Sequence, residues 1–203
     1  MSYKTIRNIP LLLPVEPVSP STDRFIIYQG AVNEARGLEY LVPAMRSVNA
    51  RLVICGDGNF MEQLKKMVAD HQLENKIELK GMLPPDQLRR IAGQAYIAVA
   101  VPEKQGLNQW LALPNKLFDY IHAGLPQVTV NYPEYQKINT QFEIAILLSD
   151  ISPQRIAEAL NNLLSDDVLY GRLKENCMKA RAVFNWQQEE KKLLAFYQSV
   201  FHS

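Results

Sequence analysis

Cysteine is scarce in this sequence: Cys55 falls in an apolar run and Cys177 in a polar one, and neither has a second cysteine or a histidine at ligand spacing. A disulfide framework and a structural zinc are therefore not expected, and a reducing compartment is. Net charge is nearly absent as well. With 22 Lys+Arg against 21 Asp+Glu the balance is +1, so no global field argues for nucleic acid or an acidic partner. Long apolar runs are missing too: the stretch 11–15 is broken by Pro14 and is far shorter than the roughly 20 residues of a spanning helix. No membrane span or signal peptide is visible. Histidine occurs three times, at His71, His122 and His202, and none belongs to a Ser-His-Asp or metal-ligand pattern. Lys65-Lys66, Arg89-Arg90 and Lys191-Lys192 are pairs on separate predicted helices, the pattern of solvated faces rather than of a basic stripe.

What the sequence does hold is apolar residues, 47% of 203, enough for one sizeable core with an appendage. Four of the twelve prolines, Pro10, Pro14, Pro17 and Pro20, precede Ser21-Thr22-Asp23, so residues 1–24 read as an extended, linker-like segment. Such an opening suggests a domain that follows another in a longer enzyme. From position 25 onward, short apolar runs alternate with segments of helical period, the signature of a parallel sheet covered on both faces. Strands are predicted at 25–29, 51–55, 76–80, 95–101, 127–131 and 144–148, with helices between them at 37–48, 59–72, 85–92, 115–123 and 135–140. Ser152-Pro153 and Ser165-Asp166-Asp167 each open a further helix. A last one runs from Trp186 to Phe201, where Leu193, Leu194, Tyr197, Val200 and Phe201 form an apolar stripe that needs a surface to pack on. The expected fold is α/β: a Rossmann-like six-stranded parallel sheet, helices on both faces, and a C-terminal helical extension, all within a domain spanning 25–203.

Ligands of open α/β sheets bind beyond the carboxyl ends of the strands, so the loops there carry the functional reading. After the first strand, Gly30 allows close backbone approach, and Arg36 stands before a helix as either a diphosphate clamp or a surface arginine beside a turn. After the second, Gly56-Asp57-Gly58 lacks the third glycine of a dinucleotide fingerprint, since position 61 is Met61, and it follows the wrong strand for one. It reads as a tight structural turn. The most informative stretch follows the fourth strand, where Pro114 sets a helix entry whose free amides at Asn115 to Leu117, joined by the Lys116 charge, make a phosphate seat. Asp119 lies near the same mouth, placed to accept two ribose hydroxyls or simply to complement the helix dipole.

These segments together resemble the C-terminal, donor-binding domain of a GT-B fold glycosyltransferase of group 1, also called family 4. Ile27-Tyr28-Gln29-Gly30 with Arg36-Gly37-Leu38, the run from Leu52 to Gly58, and above all Pro114-Asn115-Lys116-Leu117-Phe118-Asp119-Tyr120 followed by Ala123-Gly124-Leu125-Pro126 are similar to the family's elements. The resemblance spans nearly the whole chain, and it implies one half of a GT-B fold that binds a nucleotide diphosphate sugar. It implies donor contacts from Gly30, Arg36, Gly81, Met82, Glu103, Asn108, Asn115, Lys116, Leu117 and Asp119: Arg36 and the amides near Lys116 on the diphosphate, Asp119 on the ribose, Gly81-Met82 near the base, and the loop from Glu103 to Asn108 facing the sugar. Arg36 and Lys116 would be the catalytic pair, stabilising the leaving group as the sugar is transferred with retention. No metal and no cofactor beyond the co-substrate is implied. The acceptor, a saccharide or a lipid-linked one, would bind an N-terminal domain, so this chain alone is expected to transfer little. A cytoplasmic location follows, with peripheral association at the inner membrane face open to a full-length enzyme. Two positions depart from the pattern: Ala31 stands for a basic residue and Leu111 for a glutamate. The alternatives are a nucleotide-sugar 2-epimerase and a degenerate, non-catalytic interaction domain.

Overall fold

The computed structural model describes residues 5–14 and 23–201. The expected linker positions Pro17, Pro20, Ser21 and Thr22, and His202, lie outside them. Six strands form one sheet: β1 Ile26–Gln29, β2 Leu52–Cys55, β3 Ile77–Gly81, β4 Ile97–Ala100, β5 Gln127–Val130 and β6 Ala145–Leu148. Every pairing is parallel, in the order β3-β2-β1-β4-β5-β6. The chain moves outward from β1 to β3, returns to the other side of β1, and moves outward again, so its direction reverses between β1 and β4. Loops leave the β1 and β4 carboxyl ends in opposite directions there and open a crevice. Both faces of β1 are buried, which explains its unbroken apolar run: Ile26 and Tyr28 enter a large core with Leu38, Leu41, Leu160 and Leu163, while Phe25 and Ile27 enter a smaller one with Ala92, Ala98 and Tyr120. The α/β, Rossmann-like expectation holds.

The helices are α1 Leu38–Ala44, extended by a 3₁₀ turn at Met45–Ser47, α2 Met61–Asp70, α3 Pro85–Gln94, α4 Gly106–Trp110, α5 Asn115–His122, α6 Pro133–Phe142, α7 Pro153–Ser165, α8 Asp167–Val183 and α9 Trp186–Phe201. Two depart from the sequence reading. The stretch predicted as a loop after β4 contains the single turn and a half of α4, too short to carry a period. And α6 starts at Pro133 rather than Tyr135, because proline at the first helical position needs no amide partner, and it runs on to Glu143 in a left-handed stop. Asp166 caps α8 as predicted, its Oδ1 accepting from the Leu169 amide at 2.8 Å.

Residues 5–14 have no helix or strand, and they lie along the C-terminal helices. The Trp186 amide donates to the Pro10 carbonyl at 2.9 Å, the Leu12 amide donates to Gln187 Oε1 at 2.9 Å, and Ile9 is buried in the large core. The Arg7 amide donates to Glu189 Oε2 at 3.0 Å, and Lys192 Nζ bonds the other carboxylate oxygen at 2.5 Å. Glu189 is only 1% exposed, so its two partners offset the cost of burying a charge. The apolar stripe of α9 stays open in part, with Leu194, Tyr197, Val200 and Phe201 exposed.

Candidate active site

The Gly56-Asp57-Gly58 turn does structural work, as its missing third glycine implies. A Cβ on Gly56 would stand 1.8 Å from the Gly30 carbonyl oxygen, and the Val32 amide donates to the Asp57 carbonyl at 2.9 Å. The β2 turn thereby buttresses the loop that carries Arg36. That loop ends in two left-handed positions that flank the arginine: Ala35 has φ 60 and Gly37 φ 76. Left-handed alanine costs on the order of 1 kcal/mol, and the surrounding packing must impose it. Gly37 has no alternative, because a Cβ there would meet the Val101 carbonyl oxygen at 1.8 Å. The chain is thus pressed against the end of β4, and Arg36 is aimed into the crevice, where its Nε is buried with no hydrogen-bond partner among the described residues.

On the other side, α5 begins at Pro114 with no side-chain cap, so the amides of Asn115 and Lys116 have no partner within the helix. The Lys116 side chain crosses to β1. Its Cε and Nζ come within 3.4 Å of the position a Gly30 Cβ would take, and Nζ sits 4.2 Å from the Tyr28 ring centroid. A side chain at position 30 would crowd the ammonium, and the aromatic face holds it by cation–π attraction. Burial pushes the Lys116 ammonium down to about 7, the Arg36 charge adds to this, and Asp119 opposes it. Neither Arg36 nor Lys116 is ion-paired to a carboxylate among the described residues. The crevice they share is lined also by Pro102, Gln109, Pro114 and Tyr135.

Asp119 lies one turn further along α5. Its Oδ2 accepts from Gln29 Nε2 at 2.9 Å, while the Gln29 backbone amide donates to the Tyr120 hydroxyl at 2.9 Å. The last residue of β1 therefore grips α5 twice. Burial raises the Asp119 carboxyl, with the Gln29 hydrogen bond and the charges of Arg89 and Lys116 acting against the shift.

Gly30, Arg36, Lys116 and Asp119 come together at the ends of β1 and α5. The Glu103 amide donates to the Ala35 carbonyl at 3.1 Å, tying the β4 loop to the arginine loop. The Glu103 carboxyl is raised by burial and by Glu39, and lowered by its bond from Gln105. Asn108 is exposed on α4, Asn115 is exposed at the first turn of α5, and Leu117 is buried in the core with its amide donating to the Pro114 carbonyl at 3.1 Å, so the free amides expected at 115–117 reduce to those of Asn115 and Lys116. Gly81 and Met82 stand apart at the end of β3, beyond β2, with Met82 75% exposed. Sequence reasoning missed Gln29, Tyr28 and Tyr135. A glutamine ending an apolar strand just before a glycine was the available signal for the first. His122 proves structural, its Nε2–H donating to the Phe184 carbonyl at 2.7 Å. Among the described residues no three metal-ligating side chains cluster, and no helix is long and apolar enough to cross a membrane.

Comparison with known proteins places these observations. The family model described as "Glycosyl transferases group 1" matches residues 13–180. A D-inositol 3-phosphate glycosyltransferase of Corynebacterium urealyticum is 24% identical over 193 residues, covering 89% of this chain and 44% of its own length. A pneumococcal O-GlcNAc transferase solved with UDP and GlcNAc superposes with a TM-score of 0.72 at 20% identity, over 96% of this chain and 39% of that one. The C-terminal domain of a group 1 glycosyl transferase from Francisella tularensis gives 0.65 at 17% identity, over 85% of this chain and 95% of that domain. The chain thus spans less than half the length of the curated relatives it matches.

Proposed function

The chain belongs to the glycosyl transferases group 1 family, and from that premise we propose that its crevice binds the diphosphate of a nucleotide diphosphate sugar for transfer with retention. The observation that carries this reading is two half-buried cations at the open amides of α5, Arg36 with a buried, partnerless Nε and Lys116 with its ammonium pushed down to about 7, neither ion-paired to a carboxylate among the described residues. Burying positive charge without a partner is unfavourable, and a bound dianion relieves it. The solved O-GlcNAc transferase of like fold was crystallised with UDP, which supports the nucleotide part of the reading.

In this reading the bond between the anomeric carbon and the diphosphate oxygen breaks, and negative charge gathers on the departing nucleoside diphosphate. Arg36, Lys116 and the Asn115 and Lys116 amides already point at that charge, so they stabilise the transition state with little reorganisation. Removing one such donor in comparable sites lowers kcat by about 10²–10³. Asp119 accepts hydroxyl hydrogen bonds from the ribose, and the segment from Glu103 to Asn108 faces the sugar. Gly81 and Met82 take the base side, with the ribose bridging from Asp119. The reading needs no resident metal or cofactor. Acceptor contacts, to a saccharide or a lipid-linked one, come from a further N-terminal domain, in keeping with the greater length of the relatives. The protein acts in the cytoplasm, and residues 1–24 join the two domains.

The test is calorimetric titration of the chain with UDP, GDP, ADP and their common sugar conjugates. Binding of one nucleotide, weakened at least tenfold by Arg36→Ala and by Asp119→Ala, is the expected result. Failure of all of them at millimolar concentration, in this chain and in a version carrying an acceptor domain, would overturn the reading. Epimerised nucleotide sugar formed without acceptor would replace transfer by epimerisation.

A further inference from the structure

Gln29 is 4% exposed, yet its side chain makes one hydrogen bond where an amide can make four, and its Oε1 is buried with no partner among the described residues. A buried, unsatisfied amide oxygen is costly, and leucine at this point of an apolar strand would avoid the cost. Strand alternation puts residue 29 on the same sheet face as Phe25 and Ile27, an otherwise apolar surface with Ala98, Ala100 and Tyr120. Stability therefore does not account for glutamine here. Its one bond runs to Asp119, and chemistry settles which end of the amide makes it: an ionised carboxylate only accepts, so Nε2 must face Asp119 and Oε1 must face away.

We propose that Gln29 is a positioning residue that holds the Asp119 carboxylate, through Oδ2, with its remaining oxygen turned to the hydroxyl pair of the bound nucleotide. The inference rests on the nucleotide-sugar reading above. The amide group suits this task better than any isosteric side chain. A leucine donates nothing, and a glutamate would set two carboxylates against each other and force a shared proton. The groups facing Asp119 are Gln29 from β1, Arg89 from α3, and Lys116 and Tyr120 from α5 itself. Among the described residues only Gln29 donates a hydrogen bond to its carboxylate. Burial favours the neutral acid, and the Gln29 bond is the largest influence opposing burial, so its loss moves the Asp119 ionisation upward.

The experiment compares the 203-residue chain with its Q29L and Q29E variants, titrated with uridine, guanosine and adenosine diphosphates and with the 2′,3′-dideoxy form of whichever is bound. Wild type is expected to prefer the ribose form. Q29L is expected to lose about tenfold in affinity for that form relative to wild type at the same pH, with the deficit larger on the acid side than on the alkaline side, and to bind the dideoxy form as wild type does. Its thermal midpoint is expected to stay close to that of wild type, since the orphan oxygen removed offsets the donor lost by Asp119. Q29E is expected to show the same acid-side loss. Equal ribose preference in wild type and Q29L would overturn the positioning role while leaving the nucleotide site intact, and so would unfolding of both variants. No nucleotide binding by wild type would instead remove the underlying reading, and this inference with it.

Discussion

Lys116 is the residue on which the site turns, and its burial makes two pH effects separable. Its ammonium is pushed down to about 7 in the folded chain, from an ordinary value near 10.5. Between those values the unfolded chain binds more protons than the folded one, so folding stability contributed by this group rises with pH across that window and is lowest below pH 7. Lys116→Met is therefore expected to raise stability at pH 6 by roughly 1–2 kcal/mol while abolishing nucleotide binding, which paired thermal melts and titrations will show. A bound diphosphate favours the charged ammonium. Donor affinity is accordingly expected to be full below pH 7 and to fall as pH rises through it, with proton uptake on binding detectable by calorimetry in buffers of different ionisation enthalpy. A flat affinity from pH 6 to 9 would contradict this. Gly37 offers a steric counterpart: Gly37→Ala forces a Cβ to within 1.8 Å of the Val101 carbonyl at a positive φ. A loss of at least ~2 kcal/mol in denaturant unfolding is expected, since neither the β4 end nor the arginine loop has room to give.

At the scale of elements, one buried carboxylate, Glu189, joins the segment 5–14 to α9. Burial acts to raise Glu189, but the bonds from Lys192 and Arg7 outweigh it and hold the carboxyl below its ordinary value. A depressed carboxyl contributes stability that is present above its unfolded value and is lost as pH falls through the folded one. Acidification below about pH 4.5 should thus loosen residues 5–14 before the sheet opens. Glu189→Ala should do the same at neutral pH, at a cost of about 1–3 kcal/mol. Hydrogen exchange at the Arg7 and Leu12 amides reads it directly, and unchanged protection in the variant would show that Ile9 burial and the Pro10 and Leu12 bonds hold the segment without Glu189. The turns and caps were legible: Pro153 opens α7, Asp166 caps α8 and Pro114 opens α5, each by chemistry local to a few residues. The short α4 was not, because five residues cannot display a helical period.

For the whole molecule, the order β3-β2-β1-β4-β5-β6 makes the site by bringing the ends of β1 and β4 side by side and leading α5 in from far along the chain, as in the Gln29–Asp119 bond at a separation of 90. Alternation of apolar runs and helical periods was enough to determine the sheet, its parallel strands and its two covered faces, since burial on both sides leaves an unmistakable pattern in composition. The basic residues at loop ends, Arg36 and Lys116, stood out for the same reason: charge beside a helix entry is a local signal. Tertiary structure alone decided what those charges meet. Lys116 packs over the Tyr28 ring, Arg36 has no counter-ion among the described residues, and Gln29 reaches Asp119, because desolvation and pairing depend on which distant segments the topology brings into contact, and no local period in the chain encodes that.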